Sequence, residues 1–298
     1  KALSKKFDSP ISILVKENSK ADQYLHQTNY IDKILLLARD KKNNNRHGGL
    51  FGSYNLIKDI KNYNFDKIII FNSSLRFNLV AKLSGIAEIY QYPLFQKSRQ
   101  HITDAPKKFL VNKFNLQVNE DPEVQIDDLS VIASIKRFKI NKYDTNILLG
   151  IGGSGPTKRI PSKTFLSVIE KISKIKKCKF FLATGKDTEE QIILKEILKS
   201  KFNNLCVPLD NFSIKETLPI IKNCNLSVCN DSSFSHLSAA LGVKTITLMA
   251  DTPLIYGNYS SNMYPIIPDG EETVTHNTLG KEKISSQKIF DKIIEIVN

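Results

Sequence analysis

Four short segments of this chain combine residue types that could hold an anionic ligand. The first is Gly150-Ile151-Gly152-Gly153-Ser154-Gly155-Pro156-Thr157-Lys158-Arg159-Ile160-Pro161, directly after an apolar run. Glycines let backbone approach a ligand closely, and a lysine beside them can neutralise a diphosphate as a flexible point charge. The string contains G-x-G-x-x-G, the dinucleotide fingerprint, but its context differs. Pro156 follows the last glycine and delays the helix to about Pro161. The next acid after a strand, Asp187, lies 32 positions beyond Gly155, against about 20 for a ribose ligand. Pro156 also occupies the place where a phosphate-loop NTPase needs lysine. What remains is a glycine-rich strand-to-helix loop presenting Gly153, Ser154 and Lys158. In a chain so rich in lysine, a merely solvated Lys158 is the plain alternative.

The second segment runs Leu226-Ser227-Val228-Cys229-Asn230-Asp231-Ser232-Ser233-Phe234-Ser235-His236 and on to Gly242. A strand ends, Asp231 and Ser232 turn the chain, and a helix begins with its free N–H groups outward. Such an N-terminus, at the carboxyl end of a parallel strand, attracts anions. Asp231 fits either a ligand contact or an N-cap worth about 1 kcal/mol. His236, one turn in, fits either the core or a ligand. The third segment, Thr184-Gly185-Lys186-Asp187-Thr188-Glu189, is another strand-to-helix turn. Glu189 there could accept hydrogen bonds from sugar hydroxyls or complement the helix dipole. The fourth is Met249-Ala250-Asp251-Thr252-Pro253. No Ser-His-Asp order, H-E-x-x-H or carboxylate-rich loop stands out, so neither a metal nor a cofactor is expected.

These turns need elements to position them. Apolar runs predict strands at Ile11–Val15, Lys33–Leu37, Lys67–Phe71, Ile86–Tyr90, Asn146–Ile151, Lys179–Ala183, Leu205–Val207, Leu226–Cys229 and Thr245–Leu248. Continuous rather than alternating apolarity suits parallel strands covered on both faces. Helices are expected at Phe51–Lys61, Leu75–Leu83, Leu129–Phe138, Thr164–Ile175, Glu189–Lys199, Ser233–Leu241 and near Ser285–Val297. Ser213 and Glu216 form a capping-box signal for one more helix, which Pro219 should bend or shorten. The alternation predicts α/β class with mostly parallel sheets. The polar stretch Asn119–Thr145 is the expected domain connection, giving domains 1–141 and 142–298. Arg39–Gly49 reads as a surface loop. In a parallel sheet all four ligand-type segments leave the same edge, so they should converge on one site.

Composition narrows the classes. The 298 residues, 41% hydrophobic and 24% charged, suit a globular chain of about two domains. No apolar run is long enough to span a bilayer, and no secretory leader opens the chain. Four scattered cysteines without a C-x-x-C pair argue against a disulfide scaffold or zinc cluster and favour a reducing compartment. The net charge of +13 would favour anionic partners. However, the lysines are not gathered, nor interleaved with aromatics as single-strand binding requires, so no nucleic-acid partner is expected.

Together the four turns resemble glycosyltransferase family 9, the heptosyltransferases of lipopolysaccharide core synthesis. Lys158-Arg159-Ile160-Pro161 matches the family's Lys-x-aromatic-Pro, with Ile160 in the aromatic place. Gly185 to Glu189 matches Gly-x-x-x-Glu. Asn230-Asp231-Ser232-Ser233-Phe234-Ser235-His236-Leu237-Ser238-Ala239-Ala240 looks like Asn-Asp-Thr-Gly-x-x-His-x-Ala-Ala-Ala, with Ser233 replacing glycine. Ala250-Asp251-Thr252 stands for Gly-Pro-Thr, and His47-Gly48-Gly49-Leu50 carries a thinner likeness in the first half. The resemblance implies a GT-B-like fold of two Rossmann-like domains with a cleft between them. It also implies a nucleotide-sugar donor such as ADP-heptose on the C-terminal domain and a lipid-linked glycan acceptor on the N-terminal one. Transfer would be inverting and metal-independent.

On the same resemblance, Gly153, Ser154 and the Ser232–Ser233 amides hold the diphosphate and Lys158 offsets its charge. Glu189, Asp231 and His236 orient ribose or sugar, and Lys158 and Asp231 serve catalysis. The family opens with a strand, a Gly-Asp loop bearing the general base, and a helix. Here Lys1–Phe7 resembles the tail of that helix, so the first β-α unit is expected to be missing and no base is named. The implied location is cytoplasmic, with peripheral contact at the anionic inner face of a bacterial inner membrane. Two other readings are carried: a catalytically impaired relative that binds nucleotide-sugar or glycan without transfer, and a dinucleotide-dependent oxidoreductase resting on the glycine string alone.

Overall fold

The computed structural model describes residues 1–40, 45–94 and 102–297. Residues 41–44 of the expected Arg39–Gly49 loop lie outside the described residues. The chain divides into two compact units, Lys1–Glu120 and Asp121–Asn298.

In the first unit, β1 (Ile11–Lys16) pairs in parallel with β2 (Ile31–Leu37), and β3 (Lys67–Ile70) with β4 (Glu88–Gln91). The expected Rossmann-like sheet is thus present as two two-stranded parallel sheets. The helices Gly49–Lys61 and Leu75–Leu83 pack side by side on one shared core of Leu37, Leu56, Ile60, Ile70, Val80, Ala81 and Ile86. Ala2–Phe7 is helical, and so is Asp104–Phe114, which the sequence reading did not anticipate. Around His47, the Ala38 N–H donates to Nδ1 (3.0 Å), which leaves Nε2 to donate to Asp59 at 2.9 Å. Arg46 also holds Asp59, and these donors depress its carboxyl pKa to about 2.

The second unit is built on a six-stranded sheet. Its strands are β5 (Thr145–Gly150), β6 (Cys178–Ala183), β7 (Cys206–Pro208), β8 (Leu226–Asn230), β9 (Thr245–Leu248) and β10 (Met263–Ile266). They lie in the order β10-β9-β8-β5-β6-β7, every pair parallel. Ile147, Leu148 and Leu149 of central β5 are fully buried, as the unbroken apolar run required. Ile147 and Leu149 join one core cluster with Phe165, Val168, Ile169 and Ile172 of helix Ser162–Ser173, and with Ile289 and Ile293 of helix Ser286–Val297. β10 escaped the sequence reading because Pro265 interrupts it. Proline lacks a ladder donor and is tolerated here only because β10 is an edge strand.

The division expected between residues 141 and 142 falls instead between Glu120 and Asp121. Side-chain contacts explain the shift. The Asp121 carboxylate accepts hydrogen bonds from the Ser260 and Ser261 hydroxyls and the Ser261 N–H. Helix Asp128–Phe138 packs on helix Ile214–Lys222: the Ser134 hydroxyl donates to Pro219 O, and the Asn223 amide donates to Ser134 and to Val131 O. The capping box forms as read, with Glu216 N–H donating to Ser213 Oγ and Ser213 N–H to Glu216. Pro219 sits inside that helix, which ends three residues later at Lys222.

Candidate anion-binding site at the strand ends of the second unit

Strands β9, β8, β5 and β6 are consecutive neighbours, and being parallel they release their four following segments from one sheet edge. The expected convergence is therefore present within the second unit.

At its centre, Lys158 Nζ donates to Asp231 Oδ2 at 2.6 Å. Lys158 comes from the single 3-10 turn Pro156–Lys158 after the glycine loop, and Asp231 follows β8 directly. The Asp231 side chain is only 6% exposed, so its charge depends on this ammonium for compensation. The choice between cap and contact is settled by geometry. Ser232, in extended conformation, is the N-cap of helix Ser233–Ala240, and Asp231 turns towards Lys158. His236 Nε2 lies 3.8 Å from Asp231 Oδ1, while its Nδ1 shares a 2.6 Å hydrogen bond with the Tyr259 hydroxyl and its ring stacks on that phenol. Burial lowers the His236 pKa against the pull of Asp231, with Lys158 adding to the lowering, so the imidazole is neutral at pH 7. Burial likewise pushes Tyr259 up to about 12. His236 is therefore part of this polar group, not a core histidine.

Buried Asn230 fastens the loop: its Nδ2 donates to Ile151 O and Gly152 O. Its Oδ1, the Ser232 hydroxyl and the Thr252 hydroxyl are buried polar atoms without a protein partner. All three stand at the ends of β8 and β9. Unpaired buried oxygens are costly, and their grouping beside a helix N-terminus marks a place built for a polar guest. Asp251 serves the scaffold, accepting from Leu279 N–H at 2.8 Å, and Lys281 reaches back to Pro156 O at 3.0 Å.

On the β6 side, Glu190 rather than Glu189 is the structural acid. Glu190 is buried and accepts from Gly153 N–H (2.8 Å), Gly185 N–H (2.6 Å) and Thr184 Oγ1 (3.1 Å). A Cβ on Gly185 would meet Glu190 Oε2 at 2.6 Å, which explains why that turn needs glycine. The Gly153 amide is thereby engaged inside the protein, leaving exposed Ser154 as the outward residue of the loop. Glu189 is mostly exposed and paired with Arg159, which also bonds Asp187 and Gly153 O. Arg159, Glu190, Asn230 and Tyr259 were not singled out from sequence. A glycine followed by two adjacent acids was the only signal for Glu190, and helix phase decided between them. Ile160, in the family's aromatic place, is fully buried. Among the described residues, no three His, Cys, Asp or Glu side chains come together as a metal centre needs.

Residues 53–277 match glycosyltransferase family 9 (heptosyltransferase). Lipopolysaccharide heptosyltransferase 1 of Campylobacter coli is 28% identical over 196 residues, covering 62% of this chain and 56% of that protein. The chain thus aligns with little more than half the length of that curated relative. Among solved structures, a family 9 glycosyl transferase from Veillonella parvula superposes with a TM-score of 0.78 at 16% identity, over 99% of this chain and 93% of that one. The E. coli ADP-heptose lps heptosyltransferase II gives 0.76 at 14%, over 99% and 92%. E. coli heptosyltransferase WaaC with ADP gives 0.70 at 12%, over 97% and 90%. At these identities the likeness concerns the fold, and the GT-B-like class expected from sequence agrees with it.

Proposed function

The chain belongs to glycosyltransferase family 9, and on that premise we propose that it transfers a sugar, heptose from ADP-heptose, to a lipopolysaccharide-core or related lipid-linked glycan. The observation that carries the reading is the Lys158–Asp231 pair set against the N-terminus of helix Ser233–Ala240. The donor's diphosphate lies against the Ser232–Ser233 amides and Ser154, with Lys158 offsetting its charge. Asp231 holds the ammonium at that place and, with His236 and Glu189, meets the ribose or sugar hydroxyls. In the transfer an acceptor hydroxyl bonds the anomeric carbon with inversion while the bond to the β-phosphate oxygen breaks, without a metal or other cofactor. Charge grows on the departing ADP, where preorganised amides and one ammonium have most effect. No side chain is assigned as base. No described helix is long and apolar enough to cross a membrane, and the reading places the enzyme in the cytoplasm.

Calorimetry with ADP and ADP-heptose tests it, followed by transfer to lipid-linked acceptors. Tight donor binding with transfer is expected. Absence of ADP binding at about millimolar concentration, far weaker than such a site should allow, overturns the reading. Binding without transfer to any acceptor would instead identify an impaired relative.

A further inference from the structure

The first unit carries an exposed surface that the transfer chemistry does not use. On helix Gly49–Lys61, Leu50 and Phe51 are each 90% exposed and Tyr54 is 66% exposed. Lys58 and Lys61 continue the same stripe, since positions 50, 51, 54, 58 and 61 fall within about 100° of a helix circumference. The neighbouring helix Leu75–Leu83 repeats the pattern, with Leu75, Leu79 and Leu83 exposed at one-turn spacing and Lys82 beside them. Each stripe is opposite the residues its helix buries, Leu56 and Ile60 on one and Val80 and Ala81 on the other, and those four share one core. The two helices also touch laterally, Arg76 Nε donating to Ser53 Oγ at 2.9 Å. Their outer faces therefore form one continuous surface.

Charge identifies the occupant. The only acid on either helix, Asp59, is turned aside and held by Arg46 and His47. The surface thus presents protruding aromatic and leucine side chains, three lysines and no outward carboxylate. A protein partner would be expected to meet some complementary mixture of charge. An apolar ridge with lysines alone matches the interface of an anionic bilayer, where apolar side chains enter the acyl boundary and ammonium groups stay among the headgroups.

We infer that this two-helix face is a docking surface for anionic membrane, through Leu50, Phe51 and Tyr54 together with the leucine stripe Leu75–Leu79–Leu83, and Lys58, Lys61 and Lys82. It holds the protein at a bilayer without any spanning segment.

Co-sedimentation of the whole chain with phosphatidylcholine vesicles, with and without about one-third phosphatidylglycerol, tests the assignment. Binding is expected only with the anionic vesicles. Removing a lysine (Lys58→Gln, Lys61→Gln or Lys82→Gln) should weaken it about fivefold each. Leu50→Ser with Phe51→Ser should weaken it about tenfold or more, with the melting temperature unchanged because both side chains are already in water. No binding to anionic vesicles, or binding indifferent to these changes, overturns the proposal. So does a wild-type dimer that Phe51→Ser converts to monomer, which would make the face an interface between copies.

Discussion

Lys158 and Asp231, 73 positions apart in sequence, share a 2.6 Å charge-assisted hydrogen bond at the carboxyl edge of the parallel sheet. The two residues neutralise each other while keeping a cation beside a helix N-terminus. Neither could hold its place alone, since a buried carboxylate without a counter-ion is strongly disfavoured.

Lys158→Met therefore has two expected effects. ADP affinity falls about 10- to 100-fold, the equivalent of one hydrogen bond to a charged group. Stability also falls, by about 1–3 kcal/mol, because Asp231 loses its partner. Calorimetry and urea unfolding read the two separately. Unchanged ADP affinity would remove Lys158 from the site.

The two adjacent acids of the β6 turn should behave unlike each other. Glu190→Gln places an amide among donors that a carboxylate now satisfies, and should cost about 2–3 kcal/mol in urea unfolding. Glu189→Gln removes a mostly exposed ion pair with Arg159 and should cost under about 1 kcal/mol. Equal costs would mean that the glycine loop does not rest on Glu190.

The lowered pKa of His236 sets a pH dependence of definite sign. The unfolded chain takes up the proton near pH 6.5 and the folded chain only below that, so stability is fully present above pH 6.5 and falls as the solution is acidified towards the native value. Urea midpoints for wild type and His236→Gln, compared between pH 7.5 and pH 5, should differ in slope, wild type losing more. A common slope would show that this imidazole is not the group responsible.

Much of the second unit was legible in the residues themselves. The run Asn146–Ile151 had to be a doubly covered strand, and Thr245–Leu248 and Leu75–Leu83 fall at the bounds their apolar periodicity set. The four turns could be marked because glycine, proline and cap residues act locally. What tertiary structure alone decided was pairing at a distance. Asp231 is a contact rather than a cap because β8 lies next to β5, and that strand order is written in no local pattern. Glu190 replaces Glu189 as the strut because helix Thr188–Leu198 turns one inward and the other to solvent. The unit boundary moved to Asp121 because Asp121 and Ser134 found partners far along the chain. Propensity and periodicity act within a few residues, whereas a site is made by whichever strands come to lie side by side.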